Sequence, residues 1–193
     1  MELQNTTHLD TARLDRMFRN ATEGWKRDGL RVFVRYSRGA AFSGTCFYKD
    51  GRVFINLGRD NRYPLEIKTN VARAQSDARC WWRELYSIDA EDAYQLVLFV
   101  FLHEFYHWLV RRARRNVRQK ESRCDRFAVR WLCDRYGATV RDHRRRPVAR
   151  ADWDFQDLDG FVAAARRRRG TPRVSSTTRQ SRAAAQGKQL RLF

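Results

Sequence analysis

His103 and His107 stand four residues apart, with Glu104 directly after the first, in the run His103-Glu104-Phe105-Tyr106-His107. On a helix, positions i and i+4 share one face, so two imidazoles at that spacing can hold a single zinc ion. The glutamate beside the first histidine lies near the same face, where it can take a proton from a water that the ion activates. The apolar stretch Leu96 to Leu102 leads straight into this run. Polar groups placed directly after so apolar a stretch are costly unless something pairs with them. A catalytic zinc takes three protein ligands and keeps one position open. Further along, Glu121 and Asp125 lie one helical turn apart and are the candidates for the third ligand. If two antiparallel helices reverse near residue 113, Glu121 is level with the histidines; if near 115, Asp125 is. Spacing alone leaves both open.

The elements that must position these groups read as α+β. Leu9 to Trp25 has apolar residues mostly at helical spacing and stops at Asp28-Gly29. Leu30 to Tyr36 alternates as a strand does. Thr45 to Tyr48 and Val53 to Leu57 flank Lys49-Asp50-Gly51-Arg52, and Asp-Gly is a tight-turn dipeptide, so a hairpin is expected there. Tyr63 to Ile67 is a weak further strand, and Val71 to Leu85 can hold a helical stretch. These signals predict an N-terminal helix and a small, mostly antiparallel sheet. Asp89 is the expected N-cap of the helix that carries the histidines, with Glu91 and Asp92 in its first turn. No Gly or Pro interrupts Ala93 to Ala113, and the all-round apolar run marks a buried helix. A second helix spans Val117 to Tyr136 and ends at Gly137. Tyr106 falls on the side facing away from the metal, which leaves Tyr136 and the arginines as candidates to stabilise an oxyanion.

His103 to His107 followed by Glu121-x-x-Cys124-Asp125-x-Phe127-Ala128 resembles the HExxH…ExxAD or ExxAN pattern of small gluzincin metallopeptidases. The resemblance covers roughly residues 9–136 and implies a minimal zincin core, Zn2+ as cofactor and hydrolysis of a protein substrate. It implies Glu104 as the general base, Glu121 as the third ligand beside His103 and His107, and Asp125 as the group that steadies a ligating histidine. Cys124 stands where that pattern usually has alanine. SprT-like DNA-associated proteases also carry HExxH but use a histidine as third ligand. The only histidine after His107 is His143, in the basic segment Asp142-His143-Arg144-Arg145-Arg146.

Charge divides the rest of the chain. The formal net charge is +18 over 193 residues, which makes a polyanion the default partner. Residues 1–137 read as the metallopeptidase domain and 138–165 as a basic extension with a short helix. Residues 166–193 contain no acid and little apolar surface, so a disordered basic tail is expected. Arg166, Arg167, Arg168 and Arg169 can neutralise phosphates, as can Arg144–Arg146 and the turn from Arg111 to Lys120, giving salt-dependent binding to DNA with little sequence preference. The last five residues, Gln189-Leu190-Arg191-Leu192-Phe193, resemble the QLxLF peptide by which bacterial DNA polymerases and repair proteins bind the replication sliding clamp. That resemblance implies that Gln189 is hydrogen-bonded while Leu190, Leu192 and Phe193 fill an apolar pocket. No apolar run approaches the roughly 20 residues a membrane span needs, and the first residues lack the pattern of a secretory signal. Four cysteines without a CxxC pair read as reduced thiols. The expected location is therefore cytoplasmic, at the nucleoid if DNA is bound. A second class fits the same residues: a nucleic-acid or clamp-binding adaptor whose zinc site is structural or has lost catalysis.

Overall fold

The computed structural model describes residues 1–118 and 120–166, and it is a mixed α+β fold. Arg167, Arg168, Arg169, Gln189, Leu190, Leu192 and Phe193 lie outside the described residues.

Strand β1 (Glu2–Asn5) precedes helix α1 (Thr11–Ala21), which starts where the Asp10 carboxylate accepts the Arg13 N–H. Strands β2 (Arg31–Tyr36), β3 (Phe42–Phe47) and β4 (Arg52–Leu57) follow, and the sheet order is β1-β2-β4-β3. The expected hairpin is present as β3 and β4, joined at Gly51 with φ +67°. A Cβ at Gly51 would stand 2.4 Å from the Gly29 carbonyl oxygen, so only glycine fits this turn without displacement. The expectation of a mostly antiparallel sheet does not hold for this unit: β1–β2 and β2–β4 are parallel. The cause is the α1 crossover, which returns the chain in the same direction, together with β4 inserting between β2 and β3. That insertion leaves β3 at the edge.

Val32, Val34, Val53, Ile55 and Leu57 alternate onto the buried face of the sheet. Helix α2 (Ala93–Arg112) is buried along most of its length, and Phe18 of α1 stacks on its Phe101 with ring centroids 4.0 Å apart. The N-cap of α2 is Asp92, whose carboxylate accepts the Gln95 N–H at 2.8 Å, and not Asp89. Asp89 is drawn instead into β8 (Tyr86–Ala90), which pairs antiparallel with β5 (Leu65–Thr69), and there it meets Arg145. The helical stretch that 71–85 could hold is also absent. That stretch forms a hairpin of β6 (Ala74–Ser76) and β7 (Trp81–Arg83), because Asp77 accepts the N–H groups of Arg79 and Cys80 and folds the chain into a turn. Among the described residues no helix is long and apolar enough to cross a membrane.

Helix α3 (Glu121–Tyr136) begins four residues later than its apolar pattern suggests, since Asn116 accepts the Arg118 N–H and holds that segment in a turn. It ends at Gly137, in the left-handed conformation. Beyond it come α4 (Arg150–Trp153) and α5 (Leu158–Phe161), whose Trp153 and Leu158 join the same buried core as the sheet and α2.

Arg126 of α3 ties these parts together. Its side chain is fully buried, and it donates to the carbonyls of Val71 (2.7 and 2.9 Å), Ala72 (3.1 Å) and Trp153 (2.7 Å) and to the Gln156 side chain (2.6 Å). Burial, followed by the charges of Arg83 and Arg123, lowers its pKa to about 10, so the group stays charged at neutral pH. Replacing it by Met keeps bulk but strands these carbonyls. Arg126→Met should cost on the order of 3 kcal/mol, seen as a lower urea midpoint at unchanged m-value.

Candidate metal centre

The first half of the centre comes from α2. Its two histidine rings lie with centroids 5.0 Å apart on one face of the helix, as the four-residue spacing requires. Helix α3 supplies the opposing carboxylates. Glu121 stands across both rings, with Oε2 3.1 Å from His103 Nε2 and Oε1 3.3 Å from His107 Nε2. Asp125 lies 2.8 Å from the other nitrogen of His103, Nδ1. His107 thus faces the start of α3 and His103 the next turn, which is the antiparallel register. Both carboxylates reach the histidines, by different nitrogens.

That division fixes the chemistry of His103. An ionised carboxylate only accepts, so Nδ1 carries a hydrogen toward Asp125, and without an ion Nε2 carries one toward Glu121 as well; an ion at Nε2 would replace that second proton while Asp125 keeps the first. Asp125 is itself held. Its second oxygen accepts the backbone N–H of Asn70 at 2.7 Å and the Asn70 side-chain amide at 3.1 Å. Asn70 directly precedes the Val71 and Ala72 carbonyls that Arg126 holds, so neighbouring residues of α3 fix one loop at consecutive points. On His107, Nδ1 lies 3.5 Å from the Tyr48 hydroxyl, just past the end of β3.

Charge in the pocket is strongly coupled. Burial opposes protonation of His103, but the hydrogen bonds to Asp125 and Glu121 outweigh it and push its pKa up to about 10. The same contacts, from His103 and then His107, hold Glu121 well below the usual carboxylate range. Glu104 is buried, and desolvation raises its pKa against the lowering effect of the two histidines. Tyr48 is pushed up to about 12 by burial, then by the nearby Cys46, Glu104, Cys124 and Glu121. Cys124 is fully buried, and burial followed by the Glu121 and Asp125 charges takes its thiol well above the ordinary value.

His103, His107 and Cys124 form a group whose donor atoms all lie within 4.8 Å of one another, and it could hold a metal ion. The centre therefore offers two third donors. Cys124 comes from the buried side, and Glu121, with 61% of its side chain exposed, from the solvent side.

Glu104 owes its place to a glycine. A Cβ at Gly44, in the middle of β3, would lie 2.4 Å from Glu104 Oε1, so the edge strand can pass over this carboxylate only without a side chain there. A glycine inside the strand pattern Phe42-Ser43-Gly44-Thr45 is a sequence signal for close approach. Asn70 and Tyr48 carried no such signal. Tyr106 does face away, donating to the Leu158 carbonyl at 3.0 Å. Tyr136 packs against Trp131 near the other end of α3. His143 is exposed and pairs with Glu84. Arg166 pairs with Asp159 at 2.7 Å and lies over the Trp25 ring.

Asp125 and Asn70 should tune the centre without holding an ion themselves. Asp125→Asn should weaken zinc affinity by about 10–100-fold, read by competition with a chelating dye. Asn70→Ala, which leaves the backbone bond to Asp125 in place, should weaken it less. Comparison of the chain with protein-family models, with characterised proteins and with solved structures finds no match in any of the three.

Proposed function

We propose that the chain is a zinc-dependent metallopeptidase acting on a protein substrate associated with DNA, with His103, His107 and Glu121 as ligands. The observation that carries this reading is the position of Glu121, with one oxygen toward each Nε2, beside a buried Glu104. Two imidazoles and a carboxylate are a catalytic donor set for zinc, and a third ligand on the solvent side leaves room for substrate. The His103–Asp125 pair is the carboxylate–imidazole support such a ligand uses.

A zinc ion held there would supply Lewis-acid activation of water and of the scissile carbonyl. Glu104 accepts the proton released as water adds to the carbonyl carbon, and returns it to the amine nitrogen as the C–N bond breaks. Its raised pKa, caused mainly by burial, suits both halves of that transfer. Asp125 keeps His103 in the ligating tautomer, and Gly44 leaves the space in which Glu104 sits. Tyr48, on the opposite nitrogen of His107, orients the second ligand.

The competing arrangement takes Cys124 as third ligand and makes the ion structural, as in an adaptor that binds nucleic acid or the clamp. Metal content separates the two. Glu121→Ala should lose most of the zinc while Cys124→Ala keeps it; the reverse result would move the chain to the structural reading. Glu104→Gln should retain zinc and lower the rate of casein hydrolysis by about 10²-fold or more. Wild-type hydrolysis in that variant would exclude the mechanism.

The pentapeptide ending in Phe193 adds the bacterial sliding clamp as a proposed partner. Replacing Leu192 and Phe193 by Ala should abolish binding to the clamp in a calorimetric titration and leave metal content unchanged.

A further inference from the structure

At the C-terminal end of α2 the chain forms a cleft of about 600 Å³, separate in its residues from the ligand set. Lys26, Lys49, Arg111, Arg112, Arg114 and Arg115 line it, all six exposed. They come from three places in the sequence: the loop after α1, the β3–β4 turn and the last turn of α2 with its continuation. Among the described residues none of the six forms a salt bridge. Arg145, Arg146 and Arg150, by contrast, pair with Glu66, Asp142 and Asp134. Two cations in the last turn of α2 complement its dipole, but that leaves four more converging on one concavity, and like charges so placed repel one another. Trp108 also lines the cleft; it is buried, and among the described residues its indole N–H finds no acceptor.

We infer that this cleft binds the phosphate backbone of a single-stranded nucleic acid. Six cations from three segments suit a run of phosphates better than one small anion. The cations converge on a concavity of about 600 Å³, and a duplex, stiff over about 150 base pairs, can only lie across the mouth of a concavity of that size. A flexible strand can enter it, with the cations tracking its backbone and Tyr48 in the wall offering an aromatic ring. Tyr48 also joins the cleft to the metal centre, since its hydroxyl lies 3.5 Å from His107 Nδ1. A strand in the cleft thus carries its bound protein past the proposed peptidase centre. Only that last consequence rests on the peptidase reading.

The test uses the full chain in EDTA, so that binding is read apart from metal and hydrolysis. Fluorescence anisotropy with a labelled single strand of about 20 nucleotides, between about 50 and 200 mM KCl, gives the affinity and its salt slope. In a variant combining Lys49→Ala, Arg111→Ala, Arg112→Ala and Arg115→Ala, affinity at the lowest salt should fall at least about tenfold. The slope should become shallower by about 3, at about 0.7 for each phosphate that is no longer neutralised. Substituting Lys at the same three arginines should keep most of the slope, which separates charge from folding. The corresponding duplex should bind less tightly. Unchanged slope and affinity in the four-alanine variant would overturn the inference, as would equal loss in the lysine variant or tighter binding of the duplex through these residues.

Discussion

A buried carboxylate needs donors, and Asp125 decides where three parts of the chain must meet. With 5% of its surface exposed, it would be costly to ionise without them. One oxygen takes the His103 ring, and the other takes the backbone and side chain of Asn70. Satisfying Asp125 therefore fixes the register of α3 on α2 and docks the loop after β5 against both. Arg126, the next residue, then secures that loop through two more of its carbonyls and reaches the C-terminal segment at Trp153. The polar face of α2 is tolerable inside an apolar core because these groups answer it.

The sheet contributes by what it leaves out. Glu104 follows His103 on a helix buried almost throughout, and its carboxylate must go beneath a strand. Gly44 lets β3 cross at that point, and the edge position of β3 follows from β4 taking the place beside β2. The parallel β1–β2–β4 arrangement and the position of Glu104 are consequences of one topology.

Much of this was legible in the sequence because it is local. Helical spacing located the two histidines, Asp50-Gly51 located the hairpin, and Gly137 ended α3 as expected. What failed was decided by partners distant in the chain. Asp89 and Asp92 are equally good caps by type, and only the pull of Arg145 and the β5–β8 ladder separates them. The segment 71–85 has enough apolar residues for a helix, yet the Asp77 turn and the carbonyls committed to Arg126 keep it extended. β1 is too short and too polar to announce itself, and it exists because β2 offers a parallel edge. Glu121 and Asp125 could not be told apart by spacing because the helix register falls between the two alternatives, letting each reach a different ring nitrogen.

The distribution of charge gives the site its direction. A chain with net charge +18 still gathers Glu104, Glu121 and Asp125 around two histidines, and one helical turn past His107 the same helix turns basic at Arg111 and Arg112. Carboxylates on one side repel phosphate, and unpaired cations on the other attract it. On the proposed reading, a nucleic acid attracted to the basic end of α2 would be held off the proposed ligand set while remaining beside it. A neutral peptide bond meets no such barrier. On that reading, separation of the two kinds of ligand would follow from the order of residues along one helix, from His103 to Arg112, before any specific recognition is invoked.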